Sequence, residues 1–225
     1  MSPTPAPAPE TPEAPGSAGP AGPDAEHTAE LARTRAFFAV RAAGWDAKFP
    51  EDGPRFAAAI ATLGLRPGDR VLDAGCGTGR ALPLLRAAVG PDGRVIGADV
   101  TPEMLRVADA RHHGTAALLT ADCARLPLAD ASLDAVFAAG LISHLSDLDG
   151  ALRELARVTR PGAALALFQP IGRAALAARH GRELTPDDRR AEPHLRPLLT
   201  ATGWRLDSYT DTDDQFLARA TRVNL

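Results

Sequence analysis

The stretch Val71-Leu72-Asp73-Ala74-Gly75-Cys76-Gly77-Thr78-Gly79-Arg80 decides the fold. A short apolar strand, Arg70 to Asp73, runs into three alternating glycines and then into the helical run Arg80 to Val89. Glycine lets the backbone turn tightly and lets a ligand approach the main chain. The helix behind such a loop offers free N–H groups. Outward from this loop, short apolar segments alternate with helical ones. Strands are expected at Arg94–Ala98, Ala116–Thr120, Leu133–Ala139 and Ala164–Phe168. Helices are expected at Leu31–Ala43, Pro54–Leu63, Pro102 to about Arg111, and from Asp147 to a stop at Pro161-Gly162. Thr101 before Pro102 reads as a helix cap. Strands that are apolar on both faces and separated by helices imply a buried parallel sheet in an α/β domain. Gly172–Thr202 reads as helical and polar. Trp204–Tyr209 and Gln215–Val223 read as two strands of a terminal antiparallel hairpin.

The loop narrows the chemistry. A dinucleotide fingerprint requires glycine or alanine at the sixth place counted from Gly75, and Arg80 stands there. A phosphate-cradling loop would continue Gly-Lys-Ser/Thr, which is absent. The G-x-G-x-G loop after an acidic residue resembles that of class I S-adenosylmethionine-dependent methyltransferases. Two further segments strengthen the likeness. Val95-Ile96-Gly97-Ala98-Asp99-Val100-Thr101-Pro102-Glu103-Met104-Leu105 is similar to the family's second motif, and Ala121-Asp122-Cys123-Ala124-Arg125-Leu126-Pro127 to its third. The resemblance continues through residues 138–170 and covers about residues 67–170. Within the family it points to the small-molecule enzymes of methyltransferase domain type 11, similar to those of ubiquinone and menaquinone biosynthesis.

The resemblance implies a Rossmann-like seven-stranded, mostly parallel sheet with helices on both faces and an antiparallel C-terminal strand. It also implies S-adenosyl-L-methionine as cofactor. Asp73 would face its amino group, with Gly75, Cys76, Gly77 and Gly79 forming the loop around the methionine part and ribose. Asp99 would take both ribose hydroxyls. Asp122 would accept from the adenine 6-amino group beside Cys123. Val100, Met104 and Ala139 complete the expected cofactor-binding set.

Composition argues about the acceptor. The 225 residues carry a net charge of −3 with only 4% aromatics, so neither a basic face nor a stacking platform for nucleic acid is expected. The Asn/Asp-Pro-Pro-Tyr segment of enzymes that methylate base amines is missing after strand four, as is the Pro-Cys pair of cytosine C5 enzymes. A small molecule is the expected acceptor, its reacting atom open. His144 is the candidate catalytic base, since an imidazole can take a proton from a hydroxyl acceptor. The competing reading is that His144 orders the loop before the Asp147 helix. His180 and His194 read as solvated. Trp45-Asp46 sits where a lid over the cofactor would lie, or packs as ordinary core. A cofactor-binding module without catalysis is the alternative function; a nicotinamide oxidoreductase is a weaker one.

The organisation expected is a disordered Pro/Ala-rich tail (1–25) and one domain (26–225). The domain divides into N-terminal helices (26–66), cofactor core (67–170), helical insert over the acceptor (171–202) and hairpin (203–225). Eight prolines and no apolar residue larger than alanine after Met1 make the tail unable to anchor a core. No run of about 18 apolar residues exists, so no membrane span is expected. Two cysteines exclude a disulfide scaffold, no metal site is expected, and residence in the cytoplasm is the default.

Overall fold

The computed structural model describes residues 23–48 and 52–224. Residues 1–22, most of the expected tail, lie outside the described residues. The chain enters through helix α1 (Pro23–Ala39), two 3-10 turns (Ala42–Gly44 and Asp46–Lys48) and α2 (Gly53–Ala61). It then alternates through β1 (Arg70–Ala74), α3 (Leu82–Val89), β2 (Arg94–Asp99), α4 (Pro102–His112), β3 (Ala117–Thr120) and β4 (Leu133–Ala139). There follow α5 (Leu148–Val158), β5 (Thr159–Gln169), α6 (Arg173–Arg179), α7 (Glu192–Ala201), β6 (Trp204–Asp211) and β7 (Phe216–Arg222).

The seven strands form one sheet in the order β3-β2-β1-β4-β5-β7-β6. All neighbours pair in parallel except β7, which runs antiparallel between β5 and β6. The expected fold class is therefore the observed one. Successive residues of a strand face opposite sides. In β1, Val71 packs with Leu85 of α3 and with Phe56 and Ile60 of α2, while Leu72 joins Leu152 and Leu155 of α5. Apolar side chains at both kinds of position explain why no alternation is visible in these strands. Helix α5 shows the matching helical spacing, burying Leu148, Ala151, Leu152, Leu155 and Ala156. Its Leu152 carbonyl accepts the indole N–H of fully buried Trp204 at 3.0 Å.

Several boundaries differ from expectation. α1 begins at Pro23, inside the stretch read as tail, because the Ala-rich Ala25–Ala32 segment favours helix and proline is tolerated in a first turn. Helix α5 ends at Val158, and Pro161-Gly162 lie inside β5, where the β4–β5 register shifts between Leu133 and Ala135. Proline is accepted there because the ladder is already interrupted. Thr101 occupies the cap position of α4 but makes no side-chain capping bond; Asp147 does cap α5, accepting from Gly150 N at 2.8 Å. Gly172–Thr202 is two helices with an irregular segment between them, and α7 buries Leu195, Leu198 and Leu199.

The order of strands creates the site. From β1 the chain moves outward through β2 and β3, then returns to place β4 on the other side of β1. At such a reversal the loops beyond the strand ends part, leaving a crevice.

Candidate functional site

An open cavity of about 1330 Å3 fills that crevice. Its floor is the run of loops after β1, β2, β3 and β4, and it meets one acid near the carboxyl end of β1, one at the end of β2 and one just beyond β3. Asp73, in β1, is almost fully buried, and its Oδ2 has no hydrogen-bond partner among the described residues. Burial, and secondarily the nearby Asp99 carboxylate, push its titration up to about 8. A buried, unsatisfied carboxyl costs free energy unless a ligand completes it. A cationic amino group would do so and would restore the ionised form.

The glycine loop is tied to β2: Gly75 N and Cys76 N both donate to the Ala98 carbonyl, at 2.8 and 2.9 Å. Gly75 and Gly77 have φ of 69° and 53°, in the left-handed region. A Cβ on Gly77 would meet nothing within 4 Å, so this backbone faces open space. Gly79 differs. It does not line the cavity, and a Cβ there would stand 2.9 Å from Leu82 and 3.1 Å from Ala108. Its glycine serves close packing of the loop on α4.

Asp99, at the end of β2, accepts from Gly77 N (2.9 Å) and Thr101 N (2.7 Å), one bond to each oxygen. Burial still holds its carboxyl above the ordinary range, the two backbone bonds acting against it. Each oxygen retains accepting capacity, as needed to receive two hydroxyls of a diol. Beyond β3, Asp122 accepts from Ala124 N at 2.9 Å and lies 2.7 Å from His27 Nε2. Its position suits an exocyclic amine. Val100, Met104, Cys123 and Ala139 also line the cavity, as does Cys76. Both cysteines are buried, free thiols. Burial above all, then neighbouring aspartates, raise both, Cys123 to about 12. Neither is a thiolate near neutrality, so neither serves as nucleophile.

His144 ends a 3-10 turn (Ile142–His144) after β4 and reaches the cavity. Its surroundings first, then Arg190, hold its imidazole below the usual histidine range, so it is neutral near pH 7. Phe38 of α1 meets it edge-on with ring centroids 4.9 Å apart, and Trp45 meets Phe38 at 5.3 Å. Trp45 thus lies in the cavity wall rather than in the core. Asp46 beside it accepts from Thr78 Oγ1 at 2.5 Å and pairs with Arg111, fastening this segment to the glycine loop and α4.

Several residues in or beside the cavity carried no sequence signal, among them Asp52, Arg190, His27 and Arg35. Asp52 is buried and holds Arg80 at 3.2 Å, whose guanidinium lies 4.8 Å from the Phe56 ring centre. Arg190 is held by Asp188 and donates to Ser143 Oγ. His27 and Arg35 of α1 reach the loops after β3 and β2, Arg35 donating to the Val100 carbonyl at 2.9 Å. His180 stands in the wall of the cavity, whereas His194 lies outside it and bonds the Pro186 carbonyl at 2.8 Å. The segment from Ile171 to Arg190 gives the cavity a mixed wall, with Ile171, Leu176 and Leu184 among charged residues such as Arg179, Glu183 and Asp188.

Comparison with known proteins bears on this arrangement. Residues 72–167 match the family model described as a methyltransferase domain. An O-methyltransferase of Aspergillus nomiae is 32% identical over 157 residues, spanning 65% of this chain and 69% of that protein. The malonyl-[acyl-carrier protein] O-methyltransferase of Serratia marcescens is 41% identical over 113 residues, 49% of this chain and 41% of that one. The crystal structure of an S-adenosylmethionine-dependent methyltransferase from Aquifex aeolicus superposes with a TM-score of 0.62 at 27% identity, covering 75% of this chain and 89% of that one. For most of the curated relatives it matches, the chain spans less than half of their length.

Proposed function

The chain belongs to the S-adenosylmethionine-dependent methyltransferase family, and from that premise we propose that it methylates a small-molecule acceptor bound in the open half of the cavity. The observation that carries the reading is the convergence of Asp73, Asp99 and Asp122 on one cavity, with the Asp73 oxygen left unpartnered. These residues fit the cofactor. Asp73 offers its orphaned oxygen to the amino group, Gly77 gives bare backbone along the methionine part with Gly75 making the turn against Leu141, Asp99 takes the ribose hydroxyls, and Asp122 takes the adenine amine. Cys76, Val100, Met104, Cys123 and Ala139 wall the same space. Gly79 supports the loop from behind.

When bound, S-adenosylmethionine supplies a methyl group already activated on a sulfonium. The chain's own task is to hold the acceptor close and aligned and to keep water out. Phe38 and Trp45 close one side; Ile171, Leu176 and Leu184 give the apolar part of a seat for the acceptor. His144, neutral and facing this seat, takes the proton from a hydroxyl acceptor. The relatives support this class: the Aspergillus and Serratia proteins are both named O-methyltransferases. The net charge of −3 favours a small molecule over nucleic acid. Among the described residues no helix is long and apolar enough to cross a membrane. Two unpaired buried thiols suit a reducing compartment, and we place the chain in the cytoplasm on that ground.

Calorimetry with S-adenosylmethionine, S-adenosylhomocysteine and NADH tests the assignment. Binding of the first two and none of the third is expected; saturable NADH binding alone overturns it. Labelled methyl transfer into a metabolite extract separates an enzyme from a binding module.

A further inference from the structure

We propose that His27 is a positioning residue of the adenine subsite: it holds the Asp122 carboxylate in place for the 6-amino group and ties closure of α1 to that contact. The inference rests on the cofactor reading above and names a residue on an element outside the matched family segment, 95 positions away from Asp122.

The Asp122 carboxylate is fixed at both oxygens. Oδ1 accepts from Ala124 N at 2.9 Å, and Oδ2 lies 2.7 Å from His27 Nε2. On the far side of the ring, Ser146 Oγ stands 3.4 Å from Nδ1. A serine hydroxyl donating to Nδ1 selects the tautomer with its proton on Nε2, which then donates to Asp122. In that tautomer, donation runs from Ser146 through His27 to the carboxylate. A carboxylate oxygen accepts more than one bond, so Oδ2 keeps capacity for an exocyclic amine. The two side chains are 17% and 13% exposed, and this shelter from water strengthens the bond.

The same bond bears on the helix. No described side chain of α1 is buried, and Phe37 is 47% exposed. Hydrophobic burial thus does little to hold α1 in place. Beside its packing on α4, contacts that hold it include His27 on Asp122, Arg35 on the Val100 carbonyl, and Phe38 against Trp45 and His144. Two of these anchors end on the loops of the adenosine half. A ligand that stabilises Asp122 and Val100 in place stabilises α1, and α1 in place favours the ligand, because such coupling is reciprocal.

The test uses the full chain as wild type, His27→Ala and His27→Gln, the last retaining an N–H donor. S-adenosylhomocysteine and its inosine counterpart, which carries an oxygen for the 6-amino group, are titrated by calorimetry. Wild type is expected to favour the adenine form by about tenfold or more, the worth of a donor–acceptor match. His27→Ala should bind S-adenosylhomocysteine about tenfold more weakly and lose most of the base preference; His27→Gln should stay within about threefold of wild type. In wild type, S-adenosylhomocysteine should also slow deuterium exchange of the α1 amides. Unchanged affinity and base preference in His27→Ala, or α1 exchange in wild type unaffected by ligand, overturns the proposal while leaving the cofactor reading intact. Absence of any S-adenosylhomocysteine binding by wild type overturns the cofactor reading itself.

Discussion

Replacing Asp73 with asparagine should stabilise the ligand-free protein at neutral pH while damaging its binding site. The Asp73 carboxyl is buried, has an unpartnered oxygen, and titrates at about 8 against an ordinary 3.8. A carboxyl raised in the folded state contributes stability fully present below its unfolded value and lost as pH rises through the folded one. The window here runs from about pH 4 to about pH 8. At 1.36 kcal/mol per unit, the folded chain at pH 7 is disfavoured by at most about 4 kcal/mol relative to a chain without the shift. Asparagine removes the titration and keeps the shape, but its amide inherits the missing partner, which costs about 1–3 kcal/mol. The variant should therefore be more stable than wild type by about 1–3 kcal/mol near pH 7.5 and equal or slightly less stable near pH 5. Urea unfolding of both proteins at the two pH values measures this. Taking the difference between them cancels titrating groups that do not interact with Asp73, His144 among them, while Asp99, whose charge acts on Asp73, adds to the pH-dependent difference. A difference that does not change between the two pH values refutes the reasoning. The same substitution should weaken S-adenosylmethionine binding, so stability and affinity move in opposite directions.

Other outcomes follow from the same geometry. Asp99→Ala should weaken S-adenosylmethionine binding by about 1.5–3 kcal/mol, measurable by calorimetry; unchanged affinity would mean the ribose is held elsewhere. His144→Ala should lower turnover with a hydroxyl acceptor about 100-fold or more at constant cofactor affinity. In wild type, turnover should rise with pH through a midpoint below the ordinary histidine value and then level, because only the neutral imidazole accepts a proton. A rate independent of pH across that range would exclude the role. Gly79→Ala should destabilise the fold by about 1–3 kcal/mol, since φ is +83° and the new methyl meets Leu82 and Ala108; an unchanged melting temperature would contradict the packing role.

What could be read from residues alone was whatever depends on local order. The β1 loop, the acids Asp73, Asp99 and Asp122, and the strand–helix alternation all lie in short segments whose pattern repeats along the chain, and strand order brings their ends together. Contacts between distant segments left no such trace. His27 meets Asp122 from a helix without an apolar stripe, and Asp52 meets Arg80 from the residue before α2. Arg80 counted only as a reason against a dinucleotide, because its partner could not be foreseen. Pro161-Gly162 read as a break because proline usually is one, whereas a register shift admits the pair within β5. Gly79 shares its spacing with Gly75 and Gly77, yet only the packing of α4 separates its task from theirs.

The place of β7 has a consequence for synthesis. Residues Phe216–Arg222 supply a strand in the interior of the sheet, between β5 and β6, although they are made after both. The five-stranded portion carrying the acids can pair as it leaves the ribosome, but the outer side of β5 stays open until residue 222 has emerged. That side offers Ala164, Leu165, Ala166, Leu167 and Phe168, an uncharged row of unpaired backbone groups of the kind other nascent chains can join. Between the emergence of Gln169 and that of Arg222 this edge of β5 is unpaired, and β7 closes it by filling the gap between β5 and β6.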